Sequence, residues 1–116
     1  MRNFDYVIVG AGSAGCTLAN RLSEGGKYSV CLLEAGPADR YPWIHIPIGY
    51  GKTMFHKVYN WGFETEPEPG MNNRRLATPR GKVLGGSSSI NAMCYIRGAA
   101  RDYDEWAQAA SGWGWD

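Results

Sequence analysis

The strongest structural signal in the chain is the stretch FDYVIVGAGSAG, which covers residues 4–15. Its first half, residues 4–9, is a near-continuous apolar run, the pattern of a parallel strand that is buried on both faces. Its second half, residues 10–15, matches GxGxxG and stands where a strand ends and a helix begins. Because the motif has a physical meaning in that context, the stretch predicts the first strand and turn of a βαβ unit.

The following residues complete this unit. Apolar side chains recur at Ala14, Leu18 and Leu22, a spacing that predicts an amphipathic helix, and glycines at positions 25 and 26 end it. The run SVCLLE, residues 29–34, predicts a second strand. Strand, helix and strand have the combined length that a βαβ unit requires, so the two strands are expected to be parallel neighbours.

The three glycines of residues 10–15 have separate expected roles. Gly10 makes the tight turn, Gly12 lets the backbone approach a pyrophosphate, and Gly15 lets the helix pack closely on the strand. The helix N-terminus offers free N–H groups and positive potential, and the Ser13 hydroxyl adds a donor. Together these features predict a binding site for the pyrophosphate of a dinucleotide.

A carboxylate follows at the expected spacing. Glu34 ends the second predicted strand 24 positions after Gly10, close to the ~20 positions at which such folds place an acid that binds a ribose hydroxyl. An acid there disfavours the 2′-phosphate of NADP. These residues leave open an ordinary glycine-rich turn with an exposed Glu34, and they do not separate FAD from NAD, which share the ADP half.

The rest of the chain predicts three further features. Residues 37–47 are rich in proline and are expected to form a long packed loop. Residues 60–66 and 75–78 flank a turn-rich segment and predict a β-hairpin. A last helix is predicted over residues 100–110, where Tyr103 and Trp106 stand at helical spacing with two alanines.

Composition limits the classes of partner and compartment. The chain has 116 residues, one domain at most, and its net charge of +1 includes no run of like charges that would attract nucleic acid or a membrane. Three cysteines without a CxxC pair indicate neither a disulfide framework nor a zinc site. With no visible export or membrane segment, the composition predicts reduced thiols in a cytoplasmic protein.

A second glycine-rich cluster, PRGKVLGGSSSINAMCYIRG, covers residues 79–98. It offers backbone donors and a wall of small residues against which a flat ring could rest. From the residues alone, a second cofactor loop and a serine- and glycine-rich surface loop are both open.

This cluster closely resembles the first signature of the glucose-methanol-choline (GMC) oxidoreductases, including its spacing to Asp104. Residues 34–36, 60–61 and 78–82 also fit the N-terminal region of that family. The resemblance implies an α/β fold: a partial Rossmann-like, FAD-binding βαβ unit with a β-hairpin excursion and a C-terminal helix. It implies that residues 1–116 are the N-terminal part of an FAD-binding domain, with the substrate domain and catalytic C-terminal region absent.

The resemblance also implies where FAD is held. The βαβ unit would bind the ADP half, and the second cluster would reach the pyrophosphate and the isoalloxazine. The implied cofactor-binding residues are Gly10, Gly12, Ser13, Ala14, Gly15, Glu34, Ala35, Val83, Gly86, Ser87, Asn91, Ala92, Met93 and Cys94. Family members that attach FAD covalently carry a histidine where this chain has Ile90, so noncovalent FAD is expected.

As to activity, the resemblance implies a choline dehydrogenase-like enzyme that transfers a hydride from the CH–OH group of an alcohol to FAD. The family's base is a histidine near the C-terminus, paired with a second histidine or an asparagine, and neither position exists in this chain. No catalytic residue is therefore assigned. The alternatives are a truncated, non-catalytic flavin-binding fragment and an NAD-dependent Rossmann enzyme, against which residues 81–98 argue.

The remaining side chains that could carry chemistry are assigned to packing. His45 and His56 are isolated in the irregular region, and no GxSxG motif frames the serines at 87–89. Cys94 is expected to be a small packed residue. Core packing is also expected of the tryptophans, which are Trp43, Trp61, Trp106, Trp113 and Trp115. Because two of them stand in the last four residues, we expect a chain cut within a larger fold.

Overall fold

A computed structural model describes residues 2–110 of the chain. Its helices and strands are β1 (Tyr6–Val9), α1 (Ser13–Ser23), β2 (Val30–Leu33), α2 (Tyr50–Thr53), β3 (Phe63–Glu64), β4 (Ala77–Thr78) and α3 (Ala100–Ala109). This order confirms the predicted α/β class with a βαβ unit, a hairpin and a last helix. Among the described residues, no helix combines the length and the apolar character needed to cross a membrane.

The βαβ unit is present as predicted. β1 and β2 pair in parallel, with a register that runs from Tyr6 opposite Val30 to Val9 opposite Leu33. At the start of β1, the Asp5 carboxylate accepts hydrogen bonds from the backbone N–H and the hydroxyl of Ser29, at 2.8 and 2.7 Å. These bonds favour the charged form and lower the pKa of Asp5.

The expected burial of β1 on both faces is wrong for the described residues. Val7 is 59% exposed and Val9 is 84% exposed. The sheet that contains them has two strands, and α1 covers it from one side. The apolar run therefore belongs to a strand whose second face is open in this structure.

Helix α1 packs against the end of β1 through a glycine. Gly15 is buried, and a Cβ built there would lie 1.9 Å from the carbonyl oxygen of Gly10 and 3.4 Å from Ile8 Cγ2. Any side chain at this position would push the first turn of α1 away from the strand. The close approach predicted for the third glycine is what the structure shows.

Residues 37–59 are more regular than expected. Two short 3-10 turns, Pro42–Ile44 and Pro47–Gly49, each begin with a proline and lead into α2. Proline favours the first position of a helical turn because its φ is fixed and its missing N–H would lack a partner there. The His56 ring packs against the rings of Tyr41 and Tyr59, with centroids 4.9 and 4.8 Å away, which confirms a packing role. The two tyrosine rings stack on each other at 5.1 Å.

The hairpin follows the prediction. β3 and β4 pair antiparallel, with Phe63 opposite Thr78. The turn between them contains Asn72 and Asn73, both with positive φ, a conformation that asparagine tolerates better than most residues. A bridge between Asn60 and Gly81 extends the pairing beyond the hairpin strands.

The last helix is also confirmed, but the expected core packing of its tryptophan is not. α3 contains no buried residue, and Trp106 is 56% exposed. Its ring meets Tyr103 edge to face, at 5.5 Å between centroids. Trp113 and Trp115 lie outside the described residues, so the expectation for them stays a prediction.

The packing of Gly15 gives a first test. We expect Gly15→Ala to lower the free energy of unfolding by roughly 1–3 kcal/mol, because the new Cβ overlaps the Gly10 carbonyl. Gly12→Ala is the matched control, since a Cβ there meets nothing within 4 Å and the φ of −73° suits alanine. Thermal unfolding checks both, and equal midpoints for the two variants would contradict the packing role.

Candidate cofactor-binding site

The peptide groups of Ala11 connect three parts of the chain. Ala11 is fully buried, and its N–H donates to Glu34 Oε2 at 2.8 Å. Its carbonyl oxygen accepts a bond from the N–H of Gly85 at 2.7 Å and one from the Cys16 thiol at 3.2 Å. The turn after β1, the residue after β2 and the second glycine-rich segment are thereby held together.

Glu34 has a structural role that the sequence motif does not reveal. Its other oxygen, Oε1, accepts a bond from the N–H of Gly36 at 2.9 Å. A carboxylate has about four acceptor sites, so each oxygen retains capacity for a further donor. The side chain is half-buried and its position is fixed by two backbone groups.

The second glycine-rich segment packs directly on the first. Gly86 has a φ of +60°, and a Cβ there would lie 2.9 Å from the Cα of Gly12. Behind this contact, Val83 is fully buried, and the N–H of Leu84 donates to the carbonyl oxygen of Pro37 at 3.0 Å. The two segments that the sequence singled out form one wall.

The backbone at Gly12 is open to a ligand. A Cβ at Gly12 would meet nothing within 4 Å, so neighbouring protein atoms do not require a glycine there. Gly12 also stands at the N-terminus of α1, where no side chain among residues 2–110 caps the helix and no acidic residue occupies its first turn. Free N–H groups and the helix dipole make this a suitable position for an anion such as a pyrophosphate.

These elements enclose an open cleft with a volume of about 700 Å³, within the roughly 300–1,000 Å³ of small-molecule sites. One side consists of the ends of β1 and β2, and the other of the hairpin base and the second glycine-rich segment. The lining residues are Val9, Gly10, Gly12, Leu33, Glu34, Ala35, Trp61, Phe63, Arg80, Gly81, Gly86 and Ser87.

The cleft brings together six of the predicted cofactor residues, namely Gly10, Gly12, Glu34, Ala35, Gly86 and Ser87. Ser13 and Ala14 are exposed in the first turn of α1, next to Gly12. Gly15 and Val83 are buried behind the wall, where they support the cleft without lining it.

The predicted residues 91–94 lie elsewhere. Asn91 and Met93 line a second, small cavity of about 30 Å³ together with Ser88 and Ser89. The Asn91 side chain orders this segment, because its Oδ1 accepts a bond from the N–H of Met93 at 2.7 Å. Ala92 and Cys94 line neither of these two cavities, and the expected packing of Cys94 is wrong, since its side chain is exposed.

Six of the lining residues are not among the predicted cofactor residues. Val9 and Leu33 were predicted only as strand residues, and Trp61 was assigned to the core but is 44% exposed. Phe63, Arg80 and Gly81 were not singled out as site residues. The available signal was Asn60, which belongs to the family resemblance. Its Oδ1 accepts bonds from the N–H groups of Gly62 and Arg80, both at 3.0 Å, and so places the hairpin base at the cleft.

Comparisons with known proteins identify relatives of this chain. Residues 4–116 match the family model described as GMC oxidoreductase. The chain is 58% identical over 113 residues to an alcohol dehydrogenase [acceptor] of Pseudomonas putida, covering 97% of this chain and 20% of that protein. It is 56% identical over 110 residues to an oxygen-dependent choline dehydrogenase of Rhizobium etli, covering 94% and 20%.

A solved structure extends the likeness to the fold. A formate oxidase variant of Aspergillus oryzae, studied for its FAD modification, superposes with a TM-score of 0.73 at 36% identity. The match covers 97% of this chain and 20% of the oxidase. The chain thus spans about one fifth of the length of the relatives it matches.

The two hydrogen bonds that the Glu34 carboxylate accepts give a second test. We expect Glu34→Gln to lower the free energy of unfolding by roughly 1–3 kcal/mol, because the amide offers one oxygen to two backbone N–H groups and leaves one of them unpaired. Glu24→Gln is the control, since Glu24 forms an exposed pair with Arg21 that is worth about 0–1 kcal/mol. Urea unfolding measures the free energy of unfolding of both variants. A Glu34→Gln variant that is as stable as the wild type would contradict the structural role of Glu34.

Proposed function

The chain belongs to the GMC oxidoreductase family, and from that membership we propose that its residues hold the ADP half of FAD in the cleft. The observation that carries the proposal is the hydrogen-bonded junction at Ala11, which places an open, uncapped helix N-terminus beside a fixed carboxylate. An anion site next to a ribose-binding acid is the recognition chemistry of a dinucleotide.

We propose these positions for the cofactor. The pyrophosphate would lie at Gly12, Ser13 and Ala14, and the ribose hydroxyls would donate to the remaining acceptor sites of Glu34 beside Ala35. Gly86 and Ser87 would lie along the pyrophosphate, and residues 91–94 on the side of the isoalloxazine. Gly10, Gly15 and Val83 would maintain the shape of the site, as their conformation and burial in the structure support.

The activity of the whole enzyme is a wider proposal. When bound, FAD supplies a hydride acceptor, and the chemistry that suits the family is oxidation of the CH–OH group of an alcohol. The names of the relatives, an alcohol dehydrogenase and a choline dehydrogenase, support a choline dehydrogenase-like substrate class. Residues 1–116 would be the N-terminal part of the FAD-binding domain, and the three unpaired thiols suit a reducing, cytoplasmic compartment.

A second candidate is a flavin-binding chain without turnover. The observation that favours it is the position of the two histidines of the chain. Oxidation of an alcohol needs a base that reaches the alcohol hydroxyl. His56 is packed against two tyrosine rings, and the His45 ring contacts the carbonyl oxygen of Asp39. Neither lines the cleft.

Binding without a covalent bond is proposed because of Ile90. Its side chain is apolar, 3% exposed, and offers no atom that could bond to a flavin. We expect acid precipitation of a flavin-loaded sample to release all of the yellow colour into the supernatant. The precipitate of a covalent flavoprotein is the control, and colour that stays with the pellet of this chain would overturn noncovalent attachment.

A further inference from the structure

Two aromatic rings stand on the hairpin side of the cleft. Trp61 and Phe63 have ring centroids 5.9 Å apart and planes within 6° of each other. They are 44% and 53% exposed, although both line a cleft of about 700 Å³. Aromatic rings usually bury their area, and the faces of this half-exposed parallel pair in a cleft are accessible to a flat ligand.

The position of the pair selects one part of a dinucleotide. The rings share the cleft with Glu34 and Ala35 at the end of β2, whereas Asn91 and Met93 line a different cavity. If the ribose of the ADP half is held by Glu34, the planar group attached directly to that ribose is adenine. The flavin ring would lie at the far end of the molecule, toward residues 91–94.

The backbone that carries the indole is held in place before any ligand arrives. The backbone N–H of Trp61 donates to the carbonyl oxygen of Arg80 at 2.9 Å. The Lys82 ammonium lies 4.8 Å from the centroid of the Trp61 ring, a cation–π contact. The backbone N–H of Lys82 donates to the carbonyl oxygen of Tyr59 at 2.9 Å, so the segment that carries the ammonium is held by a backbone hydrogen bond.

We propose that Trp61 and Phe63 form a stacking platform for the adenine ring of the cofactor. Since their planes are nearly parallel, an adenine that is aligned with one ring is aligned with both. Stacking of a base on an aromatic side chain is tolerant of small shifts and needs no hydrogen bond to the base edge. The inference rests on the proposed FAD site and deepens it, because it assigns two residues that neither glycine motif contains.

The test measures ADP binding to the full 116-residue chain by isothermal titration calorimetry, with FAD titrated in parallel. We expect Trp61→Leu to weaken ADP binding roughly 10-fold and Trp61→Phe, which keeps a flat ring, to weaken it far less. Trp106→Leu is the matched control, since that tryptophan lies on α3 outside the cleft, and its ADP affinity should stay at the wild-type value. Unchanged ADP affinity in Trp61→Leu would overturn the platform.

A second readout does not depend on the folding of a variant. In the wild-type chain with ADP bound, we expect nuclear Overhauser effects between the Trp61 indole protons and the adenine H2 or H8. Their absence in a saturated complex would also overturn the platform. The proposed function fails in a different way, since a wild-type chain that binds neither ADP nor FAD would exclude the site itself.

Discussion

The structure depends on the backbone hydrogen bonds of one buried residue, Ala11. Its N–H is bonded to the Glu34 carboxylate and its carbonyl to the N–H of Gly85, so a single residue joins both strands of the βαβ unit to a segment far along the chain. A buried backbone group without a partner costs about 1–3 kcal/mol. The folded chain therefore strongly favours the arrangement in which both backbone groups of Ala11 are hydrogen-bonded. Without these bonds, the two walls of the cleft would have no direct polar connection at this point.

The glycines of the two glycine-rich segments have different physical roles. Gly15 and Gly86 are required by the protein itself, because a Cβ would overlap the Gly10 carbonyl in one case and approach the Gly12 backbone in the other. At Gly12 the space that a Cβ would occupy is open and φ is ordinary, so neither packing nor conformation calls for a glycine there. The space in front of Gly12 is therefore most simply explained by close approach of a bound group, in line with an anion at the start of α1.

Features that arise from local pattern were predictable from the sequence. The βαβ unit follows from periodicity and a glycine motif within residues 4–34, and the hairpin follows from turn residues such as Asn72 and Asn73. The bond between Ala11 and Gly85 joins distant segments, and no periodicity encodes it. Trp61 was misjudged because hydrophobicity predicts burial in general, whereas its exposure depends on the hairpin base that Asn60 positions at the cleft. The exposure of β1 was missed because an apolar run does not specify which elements cover its faces.

If the two glycine-rich segments form one FAD site, an FAD titration of the ¹⁵N-labelled chain followed by amide chemical shifts detects it directly. We expect the amides of Gly12 and Gly86 to shift together with one apparent Kd, and NAD to bind more weakly. Shifts confined to one of the two segments, or tighter binding of NAD than of FAD, would contradict a single FAD site.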